Sequence, residues 1–270
     1  MRKITLIIMA LMAGSAMYAQ STSFESSEGF ALGSLGGQNG WTVFAASPTI
    51  PVVTDSQSTD GTFAIQLIST NAQGLAGGFS PLFTSNLDVV ISADMYLAST
   101  TGELSDTDFL TQSPSQALLT SRVKFAFDDT VQVLDNPGSG LGFVETGATV
   151  IRDTWFELKI EHRFSTGDLL YYINDNLIYT GTVFGATNVE QYIAIFDNYE
   201  SDAFFDNIVY TDGTVLGLNE FNTNSNVFTH SYNKDSDVLT ISSSELACDN
   251  IQLFNVLGQE VLHKKLSQST

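Results

Sequence analysis

The chain has 270 residues, with 30 acidic residues against 10 basic ones, a formal net charge of -20 and a single cysteine, Cys248. A field of that sign repels phosphate backbones and anionic headgroups, which removes nucleic acid and acidic membrane surfaces from the set of partners. One cysteine allows no intramolecular disulfide and no thiolate metal site, so the fold has to rest on its apolar core.

In chain order, Arg2 and Lys3 precede an apolar run from Ile4 to Met12, followed by small residues up to Ala19. Charge, apolar core and small residues in that order predict a secretory signal peptide over residues 1–19, with the mature chain starting near Gln20. The run is shorter than the roughly 20 residues needed to span a bilayer, and no membrane span is expected once the signal is removed. The expected location is extracellular or at the outer cell surface. From Ser23 onward, short segments rich in Val, Ile, Phe, Tyr and Thr alternate with clusters of Gly, Asn, Asp and Ser, the pattern of an all-β antiparallel sandwich. Among these clusters, the glycines of "LGSLGGQNGW" lack the downstream Lys-Ser/Thr of a phosphate loop and predict a surface loop. Only Asp106–Leu119 offers a helical window, and Pro114 interrupts it.

The clearest strand is Trp155–Phe164, where Phe156, Leu158, Ile160 and Phe164 alternate with Glu157, Lys159, Glu161 and Arg163. His162 falls in the apolar row and is expected to be a core or edge residue. A turn at Ser165–Gly167 leads into Asp168–Ile173. A second turn at Asn174–Asn176, whose residues tolerate left-handed backbone, leads into Leu177–Tyr179. These three segments form an antiparallel meander. After Asp212 the texture changes to a Gly-, Asn-, Thr- and Ser-rich linker over 213–226, which marks a domain boundary. Beyond it, "VFTHSYNKDSDVLTISSS" and "NIQLFNVLGQEVLHKKL" are strand-like segments around turns.

Two stretches carry resemblances. "WFELKIEHRFSTGDLLYYINDNLIYTG", "QYIAIFDNYESDAFFDNIVYTD" and the opening "SFESSEGFALGSLGGQNGW" are similar to the meander, closing strands and first loop of laminin G-like, concanavalin A-like jelly-roll sandwiches. This likeness covers residues 21–212. "DVLTIS" with "IQLFNVLGQEV" resembles the C-terminal sorting domain of proteins exported by the type IX secretion system, over residues 227–270. It implies the type IX machinery as a partner, with Leu253, Asn255, Leu257, Gly258 and Gln259 as the sorting motif. The chain departs from that pattern by carrying His230–Asn233 where members have a "PNP" type turn. It also ends at Thr270, before the further strands and basic tail of such domains, so the sorting domain reads as truncated.

The chemistry is sparse. Glycan hydrolases of this architecture are expected to carry Glu-x-Asp-x-x-Glu on one strand, and no such run occurs here. Glu157 and Glu161 share a strand face but lie about 13 Å apart by strand rise, too far for a glycosidase pair. With only His162, His230 and His263 in the chain, neither a Ser-His-Asp triad nor a histidine metal cluster can be assembled. The jelly-roll resemblance implies a structural calcium between Glu25, near the first strand, and Asp206, on the last. For a sugar, flat rings and nearby amides or carboxylates are needed. Trp41, Tyr171, Tyr172, Tyr192 and Tyr199 supply rings, and Asn39, Asp197 and Asn198 lie near them in sequence. Trp41, on the Gly-rich loop, is the foremost ring, whereas Trp155 heads a strand and is read as structural. The sequence thus predicts a noncatalytic secreted module that binds a polysaccharide or glycan through Asn39, Trp41, Tyr192, Asp197 and Asn198. Two alternatives stay open: a hydrolase or lyase of the same fold, and a structural or adhesive surface protein.

Overall fold

A computed structural model describes residues 18–45, 51–83, 85, 88–138, 140–212, 228–233, 238–243, 250–254 and 260–265. The chain divides into two compact units, Met1–Val215 and Leu216–Thr270. The strands of the first unit are β1 (Tyr18–Thr22), β2 (Gly33–Ser34), β3 (Thr42–Ala45), β4 (Val52–Thr54), β5 (Ala64–Leu67), β6 (Ala76–Phe79), β7 (Val89–Leu97) and β8 (Thr107–Ser113). They continue with β9 (Leu118–Phe125), β10 (Thr130–Asp135), β11 (Gly142–Thr149), β12 (Phe156–Arg163), β13 (Asp168–Ile173), β14 (Asn176–Thr182), β15 (Gln191–Phe196) and β16 (Ala203–Asp212). A nine-stranded antiparallel sheet runs β14-β13-β12-β7-β16-β5-β4-β2, with β1 also paired to β16. A seven-stranded sheet runs β11-β10-β9-β8-β15-β6-β3.

The two sheets pack face to face. Along β7, burial alternates strictly, and β12 buries Phe156, Leu158, Ile160 and His162 while Glu157, Lys159, Glu161 and Arg163 point outward. Across the interface Phe125 meets Phe156 at 5.2 Å and Phe109 meets Phe205 at 6.3 Å between ring centroids. Removing any one of these buried rings would cost about 3–5 kcal/mol. The sandwich expected from the alternating pattern is thus the observed architecture.

The meander is β12, β13 and β14, with β13 spanning the expected Asp168–Ile173. Asn174 and Asp175 both have positive φ, 48° and 61°, the conformation of a tight hairpin turn that asparagine and aspartate tolerate. The helical window at 106–119 is not a helix. Thr107, Phe109 and Thr111 face the core with a period of two in β8. Pro114 then opens a single 3-10 turn (Pro114–Gln116) that leads into β9. In the second unit, Phe228–Asn233 (β17) pairs with Val238–Ser243 (β18), and Asn250–Phe254 (β19) pairs with Glu260–Lys265 (β20). Leu253 lies in β19 opposite Leu262. Asn255, Leu257, Gly258 and Gln259 lie outside the described residues, as do the linker 213–226 and residues 1–17 of the predicted signal.

His162 is fully buried between the sheets. Its Nε2 lies 2.9 Å from the Thr111 hydroxyl, which also contacts the hydroxyls of Thr120 and Ser121, while Nδ1 has no hydrogen-bond partner. Burial pushes its pKa down to about 3. A depressed histidine leaves the unfolded state with more bound protons between about pH 3 and 6.5, so stability is present above that window and is lost as pH falls through it. The expected loss from this group is about 2 kcal/mol between pH 7 and pH 5. Urea unfolding of the parent chain and His162→Leu at both pH values checks this: the pH-dependent difference between the two proteins should be of that size, with the variant the less acid-sensitive.

Candidate functional site

One end of the first unit holds a cavity of about 250 Å³, lined by Ser21, Thr22, Glu28, Phe30, Asn39, Trp41, Pro81, Leu82, Phe83, Tyr192 and Tyr210. Its wall begins where β1 ends. Ser26–Glu28 form a one-turn 3-10 helix, and Glu28 folds back to cap it, its Oε2 accepting from the backbone N–H groups of Ser23 and Glu25 and from the Thr22 hydroxyl. The Gly-rich loop follows. Gln38 ties it together by accepting from the Ala31 N–H and donating to the Ala31 and Ser34 carbonyls, and the Asn39 amide donates to the Glu28 carbonyl. Asn39 itself has φ of 46°, a left-handed conformation open to asparagine.

The loop delivers Trp41 inward. Only 2% of its surface is exposed, and its ring packs edgewise on Phe24 at 5.6 Å and on Tyr192 at 5.8 Å. Room for the indole comes from Gly78 on β6: a Cβ there would sit 3.4 Å from the ring and 3.0 Å from Leu35. The expectation of an exposed stacking tryptophan on a surface loop is therefore corrected: Trp41 is core, and it also lines the cavity. Phe83 completes the aromatic wall, 4.2 Å from Tyr210 and 6.0 Å from Tyr192 between centroids. Tyr192 is 8% exposed, and burial, then the nearby charge of Glu28, raise its hydroxyl pKa.

Of the five predicted ligand residues, the cavity gathers Asn39, Trp41 and Tyr192, and leaves out Asp197 and Asn198. Asn198 is fully buried and staples two loops, its Oδ1 accepting from the Thr70 N–H and its Nδ2 donating to the Thr70 hydroxyl. Asp197 accepts from the Asp106 N–H, and burial together with the Asp106 charge pushes its carboxyl up to about 6. Sequence reasoning passed over Glu28, Phe30, Leu82, Phe83 and Tyr210. Of these only Glu28 left a signal, the Glu25-x-x-Glu28 spacing of a capping box.

Glu25 and Asp206 do come to one place, the loop at residues 59–63. The Glu25 Oε1 accepts from the Thr62 and Phe63 N–H groups, both at 2.6 Å. The Asp206 Oδ2 accepts from the Thr59 and Asp60 N–H groups and its Oδ1 from the Asn207 N–H. Both carboxylates are thus committed to amide donors. Among the described residues no group of three or more Asp, Glu, His or Cys side chains converges as a metal site. A hard cation needs converging oxygens, and nothing below is routed through one.

The sheet faces were also candidates. The outer face of the seven-stranded sheet is filled by Leu110, Ile193 and Ile195, packed with Phe44, Phe79 and Leu119, and offers no flat platform of Trp or Tyr there. On the nine-stranded sheet Trp155, half-buried rather than core, contacts Tyr96 at 5.5 Å. Glu161 pairs with Arg163 on the same face, as a solvated charged strand would. No helix among the described residues is long and apolar enough to cross a membrane.

No protein-family model matches the chain, and no curated protein matches it. Solved structures do. "Cellulose induced protein, Cip1" matches with a TM-score of 0.50 and 13% identity, covering 71% of this chain and 96% of the other. A sialidase matches at 0.49 and 10% identity, covering 65% of this chain, which spans only 17% of the sialidase chain. The carbohydrate binding module CBM66 from Bacillus subtilis matches at 0.44 and 15% identity, covering 65% of this chain and 98% of the module. At 13% identity the likeness to Cip1 shows the fold alone. The first unit is an all-β, antiparallel jelly-roll sandwich.

The loop at 59–63 gives the test of this geometry. Asp206→Ala removes the acceptor of three backbone N–H groups and should destabilise the protein by about 2 kcal/mol. Urea unfolding would read that loss, together with faster proteolysis within residues 55–63.

Proposed function

We propose that the protein is a noncatalytic carbohydrate-binding module that admits one sugar residue of a polysaccharide or glycan into the cavity beside Tyr192. The observation that carries this reading is the cavity itself. Five rings, from Phe30, Trp41, Phe83, Tyr192 and Tyr210, line a cavity of about 250 Å³ together with Ser21, Thr22, Glu28 and Asn39. Apolar ring surface beside a few fixed polar groups is the composition that sugars require, with faces for C–H groups and acceptors for hydroxyls. The volume is at the small end for ligand sites and suits a single ring, with the rest of a chain leaving past Leu82. The sandwich fold is compatible with this function but does not by itself imply it.

The same reading includes export. The charged and apolar leader pattern and the likeness of residues 227–270 to type IX sorting domains support a location outside the cell, where polysaccharide is met. The absence of a Glu-x-Asp-x-x-Glu strand in the sequence favours binding over hydrolysis.

Retention on a panel of plant and algal polysaccharides tests the proposal, with reducing-end release measured in parallel. The expected result is retention without release. Leu82 is 67% exposed, so Leu82→Trp should crowd the mouth and weaken retention about tenfold without shifting the unfolding midpoint. Tyr192→Phe should weaken it about threefold or more through loss of one hydroxyl. No retention on any glycan, or retention indifferent to both substitutions, would overturn the assignment.

A further inference from the structure

We propose that the sugar this cavity selects is cationic: a hexosamine with a free ammonium group, held between the Glu28 carboxylate and the aromatic wall. The inference rests on the carbohydrate-binding reading above and adds the charge of the ligand. Its basis is an imbalance in the lining. Eleven residues face the cavity, and they include one carboxylate and no Lys, Arg or His. Glu28 is held in place by three donors, two backbone N–H groups and the Thr22 hydroxyl, none of which brings a positive charge. The basic residues of the described sandwich are engaged elsewhere: Arg122 with Asp108, Lys124 with Asp106, Arg152 with Asp129, Lys159 with Asp175 and Arg163 with Glu161. Among the described residues Glu28, itself exposed, has no cationic partner, and its carboxylate is the one charged group in the cavity lining.

The rings act in the same direction. An ammonium group is attracted to the negative face of Trp, Tyr or Phe within about 6 Å of the centroid, and more strongly where water is excluded. The rings of Trp41, Tyr192, Tyr210, Phe30 and Phe83 line the same cavity as Glu28. A neutral hydroxyl gains nothing comparable from an aromatic face. The net charge of -20 extends the preference outward by concentrating cations near the mouth and repelling uronates and sialates. N-acetylation would remove the charge and add bulk in a space suited to one ring, so the free amine and the acetylated amine should be told apart.

The test is calorimetric titration of the full chain at mildly acidic pH and physiological salt, with four disaccharides: the free-amine glucosamine dimer, its N-acetylated form, cellobiose and a glucuronate dimer. The expected order is the free amine about tenfold tighter than the acetylated and neutral dimers, with the glucuronate weakest. Glu28→Gln should cost the free-amine dimer about tenfold more than it costs cellobiose, so that the two bind at a similar level. Because the chain holds 30 acidic residues, removing one leaves the general attraction for cations nearly intact, and a preference that survives Glu28→Gln would overturn the inference. Equal affinity for the free and acetylated amines would overturn it too, while leaving the carbohydrate-binding reading in place. If none of the four binds, this inference falls, and retention on the polysaccharide panel decides the carbohydrate-binding reading separately. Should Glu28→Gln unfold the turn it caps, Leu82→Lys puts a cation at the exposed mouth instead; it should weaken the amine selectively, and equal loss for cellobiose would count against the inference.

Discussion

Strand β16 changes partner half-way along its length, and the placement of the cavity follows from that change. Ala203–Phe205 pair with β5, whereas Ile208–Asp212 pair with β1, and both partners lie on the same edge. Between them the register on β7 slips, from Asp206 opposite Asp94 to Val209 opposite Ser92. Asn207 takes a φ of 44° at that break, and its N–H folds back onto Asp206. A bulge of this kind turns the strand and re-aims its side chains. Here it points Asp206 at the loop before β5 and brings the end of β1 to the point where Glu28 and the Gly-rich loop close the cavity wall. With one cysteine in the chain, no disulfide can substitute for these pairings. The apolar contact between sheets and the register of β16 together have to hold the site.

How much of this could be read in advance depended on the length of the pattern. The eight-residue alternation of β12 and the Asn-Asp turn after β13 declare themselves, because a period of two and a left-handed turn each leave a local chemical mark. The window around Pro114 looked helical only in its spacing; Thr107, Phe109 and Thr111 belong to a strand whose outward residues, Asp108 and Leu110, are themselves buried, so polarity does not alternate along it. The burial of Trp41 escaped the sequence for a similar reason. Trp41 follows a run of glycines and looked exposed, yet the direction of its side chain is set by pairing of β3 with β6, where Gly78 leaves the space. That partner lies far along the sequence, and no local signal announces it.

The pair Glu25 and Asp206 makes the same point at the level of chemistry. Their approach could be inferred from pairing of the first and last strands, which the structure contains as β1 against β16. What the carboxylates do there could not, because the groups they bind are backbone N–H donors of Thr59, Asp60, Thr62 and Phe63, and every residue but proline carries one. Residue types reveal candidate carboxylates but say nothing about the backbone amides that hold them.

The location of the cavity also constrains what kind of recognition this sandwich can perform. A glycan bound in mid-chain needs a flat face on which successive rings can lie. The outer face of the seven-stranded sheet is instead occupied by Leu110, Ile193 and Ile195, each less than a tenth exposed and covered by Phe44, Phe79 and Leu119. Filling that face with branched aliphatic side chains stabilises the sheet but removes a stacking platform there, because such side chains present no plane. Five aromatic rings instead line one partly open cavity of about 250 Å³, the size of one sugar ring. On the proposed reading, a site of that shape would read a terminus, discriminating by what fits inside and by the charge that Glu28 places on its wall, while the rest of a bound chain would stay outside. Affinity would then follow the number of chain ends in a polysaccharide rather than its length.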